Sequence, residues 1–287
     1  MRPFIFLQPS TVTEAVGLLA THGRSARPLA GGQSLLLELK ERTACPAVLV
    51  SLAGLAELAS WHYTESGELE VGPTTSYASL LGAELRGWHR EIAAVAGNLA
   101  DRPVRTMATI GGALCQADPR FDIPTLVVGV DASVVTVSKT GSRRRPAAEL
   151  FGVAGGSALE PAELLTGISF PAESRWSSVA FEKYRIRVFD AALVSVVCAL
   201  SVGTSGQVTG ARLTVGAVAP GPLVAPEAAG LLVGRTVRDA TADVGQVLTD
   251  HVLPEAHAVT KLRRYQRELI PVLARRAIAR AFEQSGS

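Results

Sequence analysis

The chain contains 287 residues, of which 47% are hydrophobic and 19% are charged, and its formal net charge is only +2. One hydrophobic core rarely serves more than about 250–300 residues, so we expect at least two domains. The hydrophobic content excludes a disordered chain. The small charge excess disfavours nucleic acid as a partner, because a phosphate backbone is held by a concentrated basic surface.

The cysteines and histidines form no pattern that is typical of a metal site. The three cysteines are isolated, and no two of the five histidines are spaced four residues apart. We therefore expect no metal and no iron–sulfur cluster in this chain. Reduced cysteines are typical of the cytoplasm. The longest uncharged stretch, residues 191–211, contains a polar turn, so no membrane span is predicted.

The first 56 residues predict a small βαβαβ unit. Short apolar runs that are typical of buried strands occupy residues 4–7, 27–30 and 48–50. Thr11 lies three residues before Glu14, which is the spacing of a capping box, and predicts the start of a helix. Ser34 predicts the N-cap of a second helix over residues 35–40.

The section from residue 57 to residue 173 predicts short helices and a mixed or antiparallel sheet. The predicted helices cover residues 76–81 and 91–97, and the predicted strands cover residues 69–72, 133–137, 145–148 and 164–170. Three arginines, residues 143–145, end at Pro146, which is more typical of a solvated hairpin tip than of a docking surface. Pro171 and the polar residues after it predict a domain boundary.

The remaining part of the chain predicts an antiparallel sheet followed by helices. Alternating segments at residues 179–184, 192–202 and 207–216 are typical of three antiparallel strands. Apolar residues recur at nearly helical spacing between residues 262 and 282, with arginines on the other side. We therefore expect the chain to end in a surface helix that packs on this sheet.

Two diglycine segments carry the first chemical signal. Gly31 and Gly32 lie where a strand passes into a helix, so the backbone can approach a ligand and offer free N–H groups to an anion. Gly111 and Gly112 follow the hydroxyl residue Thr109. One diglycine is more often a plain tight turn, but two together could bind a pyrophosphate. Neither has the glycine spacing of a Rossmann fold or a P-loop.

These segments resemble the two pyrophosphate-loop motifs of the flavin-binding subunit of molybdenum hydroxylases, the carbon-monoxide dehydrogenase and xanthine dehydrogenase flavoproteins. The matching segments occur in the family's order over nearly the whole chain. They are residues 27–35 (Arg-Pro-Leu-Ala-Gly-Gly-Gln-Ser-Leu), 104–112 (Val-Arg-Thr-Met-Ala-Thr-Ile-Gly-Gly), 118–119 (Asp-Pro), 122–124 (Asp-Ile-Pro), 163–165 (Glu-Leu-Leu), 182–185 (Glu-Lys-Tyr-Arg), Asp190 and 275–277 (Arg-Arg-Ala).

The resemblance implies an α+β fold. A two-subdomain FAD-binding domain of the vanillyl-alcohol-oxidase type would occupy residues 1–173, with subdomains of about 1–56 and 57–173. A C-terminal flavoprotein domain would follow in residues 174–287, and it would contain a three-stranded antiparallel sheet and helices.

The resemblance also implies which residues enclose the pyrophosphate of FAD, through backbone N–H groups and through the hydroxyls of Ser34 and Thr109. The residues of the first segment are Leu29, Ala30, Gly31, Gly32, Gln33 and Ser34, and those of the second are Thr109, Ile110, Gly111, Gly112 and Ala113.

Further cofactor contacts are implied outside the two segments. Asp122 would accept a hydrogen bond from a sugar or ribityl hydroxyl. Leu99 and Leu165 would flank the adenine, although ordinary core leucines are an equally supported interpretation. Lys183 would place a positive charge near the N1/O2 edge of the flavin. The alternative for this residue, a solvated strand lysine, is slightly favoured.

Two positions depart from the family pattern. Ala113 stands where the family usually has asparagine, which removes a side-chain amide and about 0.5–1.5 kcal/mol of hydrogen bonding. Ala191 stands where carbon-monoxide dehydrogenase relatives often have a tyrosine against the flavin ring. Both changes weaken FAD binding without removing the backbone site.

The resemblance implies an oxidoreductase subunit that acts only at the FAD step, with no catalytic side chain singled out. A large subunit with the molybdenum cofactor would oxidise the substrate. A small subunit would pass the electrons through [2Fe–2S] clusters to FAD, which delivers them to NAD, oxygen or another acceptor. The implied assembly is a dimer of such heterotrimers in the cytoplasm.

Two alternatives stay open. A free-standing FAD oxidase of the same fold would need an acid or base beside the flavin ring, and Ala191 offers none. A flavin-free structural or assembly subunit is favoured by Ala113 together with Ala191.

Overall fold

The computed structural model describes residues 2–236, 242–257 and 259–286. Within these ranges the chain forms three sheets with helices between and around them. No helix in the described ranges is both long enough and apolar enough to cross a membrane.

The first sheet is parallel, and its strand order is β1-β3-β2. Its elements are β1 (Ile5–Leu7), α1 (Val12–His22), β2 (Ala26–Leu29), α2 (Leu35–Glu41) and β3 (Val48–Ser51). Thr11 caps α1 by accepting a hydrogen bond from the N–H of Glu14 at 3.1 Å. Gly23 ends this helix with a φ of 52°, a conformation that glycine adopts without strain. The predicted βαβαβ unit is therefore confirmed.

The second sheet has five strands in the order β4-β5-β8-β6-β7, all antiparallel to their neighbours. The elements of this section are β4 (Trp61–Tyr63), β5 (Leu69–Val71), α3 (Tyr77–Leu81), α4 (Arg90–Gly97), α5 (Arg102–Met107), α6 (Ile110–Gln116), α7 (Asp122–Gly129), β6 (Ser133–Ser138), β7 (Gly141–Pro146) and β8 (Leu164–Phe170). The sequence did not predict α5, α6 or α7, because short helices show little periodicity.

The three consecutive arginines lie within strand β7 and not at a hairpin tip. Arg143 and Arg145 each form an ion pair with Glu163, at 2.8 and 3.2 Å, and the Glu163 side chain is only 3% exposed. Arg144 donates a hydrogen bond to the hydroxyl of Ser133 at 2.8 Å. The predicted position at a hairpin tip is wrong, because the arginines lie in the strand and Glu163 pairs with two of them, whereas the predicted solvent exposure holds for Arg143 and Arg144.

The third sheet is antiparallel, with the order β12-β11-β10-β9. The elements of this section are β9 (Ser178–Tyr184), β10 (Val194–Val202), β11 (Val208–Gly216), β12 (Leu223–Val224), α8 (Pro226–Gly230), α9 (Ala242–Val252) and α10 (Lys261–Ser285). The three long strands and the terminal helix are confirmed. The sheet gains a fourth strand, β12, whose two residues are too few to produce an alternating pattern.

Strand β10 is buried on both faces and joins the two halves of the molecule. Val197 and Ala199 belong to an apolar cluster shared with the middle section, whereas Val196 and Cys198 belong to a second cluster that includes residues of α10. This division follows from the alternation of side chains along a strand. The third sheet is therefore held between α10 and the middle section, which fixes the neighbouring strand β9 close to α4.

Candidate functional site

The structure brings the two diglycine segments into direct contact. A Cβ atom on Gly31 would lie 1.9 Å from the carbonyl oxygen of Met107 and 3.0 Å from the Cα of Ala108. Backbone at this distance leaves no room for any side chain, so only glycine fits at position 31. The first segment therefore packs on the residues that immediately precede Thr109.

A hydrogen bond also joins the helices that follow the two segments. The side-chain amide of Gln116, the last residue of α6, donates to Oε1 of Glu38 in α2 at 2.5 Å. The relative position of α2 and α6 is thus fixed by a side-chain bond as well as by the contact at Gly31.

The first segment presents a row of free backbone donors. Among the described residues, no acceptor takes the N–H groups of Gly31, Gly32, Gln33 or Ser34. Gly32 has a φ of 71°, the left-handed conformation that occurs in backbone turns whose N–H groups bind anions. Ser34 is at the N-cap position of α2, but its hydroxyl makes no capping bond. Four amides and one hydroxyl are therefore available to an anionic ligand.

Leu29 and Ala30 lead from β2 into this row and are partly buried. The Leu29 side chain comes within 3.3 Å of the position that a Cβ on Gly32 would occupy. Leu29 and Ala30 therefore lie next to the free N–H groups.

The second segment uses its amides differently. Gly111 and Gly112 belong to the first turn of α6, and neither has a positive φ. Their N–H groups and that of Ile110 are donated within the chain. The pairs are Ile110 N–H to Thr75 O at 3.1 Å, Gly111 N–H to Pro73 O at 2.9 Å, and Gly112 N–H to Thr109 Oγ1 at 3.1 Å. Contrary to the expectation from the resemblance, these three amides are not free donors.

Packing explains why glycine occupies position 111. A Cβ atom there would lie 2.3 Å from the Cβ of Pro73. Thr109 accepts the N–H of Gly112, so its own hydroxyl hydrogen remains available to another acceptor. The hydroxyl of Thr75, next to this segment, is buried and has no hydrogen-bond partner among the described residues.

Asp122 and Lys183 form a buried ion pair, with side chains only 2% and 5% exposed. The Lys183 ammonium also donates to the carbonyl oxygen of Asn98 at 3.1 Å. The interpretation of Lys183 as a solvated strand lysine is therefore wrong. Burial raises the pKa of the Asp122 carboxyl, and the positive charge of Lys183 opposes that shift.

A second cation lies beside this pair. Arg185 donates to the backbone and side-chain oxygens of Asn98 at 3.0 and 2.8 Å, and its charge also acts on Asp122. Two cations thus share one carboxylate, which leaves the cluster with a net positive charge. The sequence analysis gave Arg185 no role. The available signal was its position two residues after Lys183, on the same side of an extended segment.

Tyr77 connects the ion pair to the second segment. Its N–H donates to the carbonyl oxygen of Ala108 at 3.1 Å. Burial raises the pKa of the Tyr77 hydroxyl, and the negative charge of Asp122 raises it further. Asp122 is therefore within electrostatic reach of a residue that packs directly on the second segment. The sequence gave no indication that Tyr77 lies between Asp122 and the second segment.

The two leucines proposed for adenine differ in accessibility. Leu165 is 2% exposed within the largest apolar cluster, whereas Leu99 is partly buried against the same cluster. Leu165 thus lies in the core, whereas Leu99 keeps some exposed surface. Ala113 is buried in this cluster as well.

Ala191 is exposed, and the segment before it carries several exposed apolar side chains. They are Ile186, Val188 and Phe189. Position 191, where the resemblance implies a tyrosine against the flavin ring, is thus an exposed alanine.

The donors at this site fit the chemistry of a dinucleotide such as FAD. The free amides of the first segment and the hydroxyls of Ser34 and Thr109 suit a diphosphate, which accepts many hydrogen bonds. The net positive cluster around Lys183 adds a favourable potential for an anionic group. Among the described residues, no three His, Cys, Asp or Glu side chains are grouped as metal ligands.

Comparison with known proteins identifies the family. The model of the FAD binding domain in molybdopterin dehydrogenase matches residues 2–173, and that of the CO dehydrogenase flavoprotein C-terminal domain matches residues 179–281. The chain is 31% identical to the carbon monoxide dehydrogenase medium chain of Afipia carboxidovorans, over 97% of this chain and 96% of that one. It is 28% identical to the glyceraldehyde dehydrogenase medium chain of Sulfolobus acidocaldarius, over 96% of each chain.

A solved structure of reconstituted CO dehydrogenase from Oligotropha carboxidovorans has the same fold. The TM-score is 0.91 at 30% sequence identity, and the match covers 99% of this chain and 100% of that one. The sequence and structure comparisons agree along the whole length of the chain. The chain therefore belongs to the family of FAD-binding flavoprotein subunits of molybdenum hydroxylases, and its cofactor is FAD.

Proposed function

We propose that this chain relays electrons through FAD within a multi-subunit molybdenum hydroxylase and oxidises no substrate by itself. The observation that carries the proposal is the row of four free amides at Gly31, Gly32, Gln33 and Ser34, which packs against the backbone of Met107. A row of unpaired N–H groups is stable when an anion accepts them, and the diphosphate of FAD supplies such acceptors.

Each part of the site has a role in this proposal. The amides of the first segment bind the diphosphate, and the hydroxyls of Ser34 and Thr109 donate to its oxygens. Lys183 and Arg185 provide positive charge beside the flavin ring, and Asp122 holds Lys183 in place. FAD itself supplies the ability to accept electrons singly and deliver them in pairs.

We place the source of the electrons in partner chains. A [2Fe–2S] cluster needs four ligands, usually cysteines, and the three cysteines of this chain are far apart in sequence. We therefore propose a small subunit with [2Fe–2S] clusters and a large subunit with the molybdenum cofactor. The name "medium chain" of the relatives supports such an assembly. NAD, oxygen or another acceptor takes the electrons from FAD.

We further propose that the complex is a dimer of heterotrimers located in the cytoplasm. The three cysteines form no disulfide, which is consistent with a reducing compartment. Within the chain we assign residues 1–173 to the FAD-binding domain and residues 174–287 to the C-terminal domain. The two family matches support this division, since one ends at residue 173 and the other begins at residue 179.

A titration of the purified chain with FAD tests the cofactor site. We expect one FAD per chain, with the blue and near-ultraviolet absorption of a bound flavin and a rise in thermal stability. A colourless, folded chain that takes up no added FAD would contradict the proposal and favour the flavin-free structural subunit.

Purification together with the partner subunits tests the relay. We expect the substrate to bleach the flavin absorption in the complex and to leave it unchanged in the isolated FAD-loaded chain. Substrate-dependent bleaching of the isolated chain would favour a free-standing oxidase. The two experiments are independent, because the first measures the uptake of FAD and the second measures its reduction by the substrate.

A further inference from the structure

Helix α4 and strand β9 run side by side, and the end of α10 lies at their junction. Glu91 belongs to the first turn of α4, and its Oε1 accepts the backbone N–H of Phe181 in β9 at 2.8 Å. The Arg280 guanidinium of α10 forms an ion pair with the same Glu91 carboxylate. It also binds Oε1 of Glu182 at 2.8 Å. One arginine thus connects three elements.

The opposite end of α4 also contacts this strand. Asn98, the residue after α4, accepts hydrogen bonds from Lys183 at 3.1 Å and from Arg185 at 3.0 and 2.8 Å. The strand is therefore attached to α4 at two places, through Glu91 near residue 181 and through Asn98 near residue 183. Lys183 itself makes the second attachment, and it lies two residues from the first.

The attachment at Glu91 depends on Arg280. The Glu91 side chain is only 9% exposed, and burial raises the pKa of its carboxyl while the charge of Arg280 opposes that shift. Without the arginine, a buried carboxylate would lose its neutralising partner and would either take up a proton or move toward water. Either change weakens the acceptor that holds the N–H of Phe181.

We propose that Arg280 is a positioning residue for the flavin site. It clamps β9 to α4 through Glu91 and Glu182, and it thereby holds Lys183 against Asp122, although Arg280 is 97 residues farther along the chain than Lys183. Phe181 and Lys183 are two positions apart on one strand, so a shift of the first moves the second. This inference rests on the proposed function of Lys183 beside the flavin.

The test compares the midpoint potential of bound FAD in the FAD-loaded chain for the wild type and for Arg280→Ala. When Lys183 is displaced, the reduced form of FAD loses a positive neighbour, and its binding weakens relative to the oxidised form by roughly tenfold. For a two-electron couple this corresponds to a fall in midpoint potential of about 30 mV. Arg280→Lys keeps the charge and should recover part of the loss.

Arg276→Ala is the matched control. Arg276 is an exposed arginine on the same helix, and it makes no ion pair among the described residues. Its potential should equal that of the wild type. Lys183→Met should shift the potential in the same direction as Arg280→Ala, and the double variant should shift it no further than Lys183→Met alone.

An unchanged potential in folded Arg280→Ala, or a shift that simply adds to that of Lys183→Met, would overturn the inference. If Arg280→Ala does not fold, Glu182→Ala decides the question, because it removes only one of the two carboxylates that accept from Arg280. It should lower the potential by a smaller amount, and no change would overturn the inference. A wild-type chain that binds no FAD would instead contradict the proposed function itself.

Discussion

The two diglycine segments have similar sequences but use their amide groups in different ways. At Gly31 and Gly32 the backbone turns, and the N–H groups have no acceptor among the described residues. At Gly111 and Gly112 the backbone is helical, and the N–H groups are donated to Pro73 and to Thr109. The first pair leaves backbone donors available to a ligand. The second pair lets α6 pack closely on Pro73, on the other side of the proposed FAD site.

This difference shows that a diglycine motif alone does not identify a phosphate-binding loop. Glycine removes a side chain in both places, but the functional consequence depends on whether the neighbouring backbone consumes the amides. In the second segment, the donors left without an acceptor among the described residues are the backbone N–H and the hydroxyl hydrogen of Thr109, while the first segment retains the full set of backbone donors.

The largest effect is expected for Gly31→Ala. The added methyl group would lie 1.9 Å from the carbonyl oxygen of Met107, so the two segments must separate. Overpacking of this kind costs about 1–3 kcal/mol of stability. Because it also separates the two segments of the proposed FAD site, we expect FAD affinity to fall by roughly tenfold to a hundredfold. Titration followed by flavin fluorescence measures it. The control is Gly17→Ala in α1, where a Cβ meets nothing within 4 Å. Equal affinity in the two variants would contradict the close contact.

Hydrogen exchange of the chain with and without FAD compares the two segments directly. We expect the amides of residues 31–34 to exchange quickly without FAD, because they have no acceptor. Excess FAD about a hundredfold above its dissociation constant should slow them by up to roughly a hundredfold. The amides of residues 110–112 should already be slow and should change little. Strong new protection at residues 110–112 would mean that the second segment rearranges to bind the diphosphate.

Gly111→Ala should act on stability more than on FAD binding. The new methyl group would lie 2.3 Å from the Cβ of Pro73, and overpacking of this kind costs about 1–3 kcal/mol. Because this part of the backbone donates no free N–H to the ligand, the FAD affinity of the folded variant should fall by less than that of Gly31→Ala. Thermal unfolding and FAD titration of both variants separate the two effects. A reversed order would remove the distinction between the segments.

The smallest effects are expected for the two hydroxyl residues. Ser34→Ala removes a hydroxyl that caps nothing, so it should weaken FAD binding by about 0.5–1.5 kcal/mol, the value of one hydrogen bond, and leave stability unchanged. Thr109→Ala also removes the cap of α6 and should cost about 1 kcal/mol of folding stability. Melting temperatures with and without FAD distinguish the variants. Equal losses of stability would contradict the difference in capping.

The sequence predicted those features that depend on neighbours in the chain. The helix start at Thr11, the parallel unit around β1 and strand β10 arise from local patterns, and the structure contains all three, although the Glu14 carboxylate accepts from Ser10 and does not complete a capping box with Thr11. The family resemblance supplied the cofactor and the general region of the site, which spacing alone left open between a ligand loop and a plain turn.

The remaining features depend on partners that are distant in sequence. The solvated alternative for Lys183 was slightly favoured over a cofactor contact because its partner, Asp122, is 61 residues away. The amides of residues 110–112 were predicted to be free because nothing in the sequence shows that residues 73–75 pack against them. A local pattern predicts whether a residue lies in a helix, a strand or a turn, but tertiary packing decides which acceptor a donor finds.

Strand β7 illustrates a further consequence of the Glu163 ion pairs. It is an outer strand of the five-stranded sheet, and an outer strand with free backbone groups is a template for aggregation with other chains. Arg143 and Arg145 are paired with Glu163 on this strand, and Pro146 at its end has no N–H to offer. An incoming strand would have to bury these guanidinium groups, so this edge of the sheet resists pairing with a second chain.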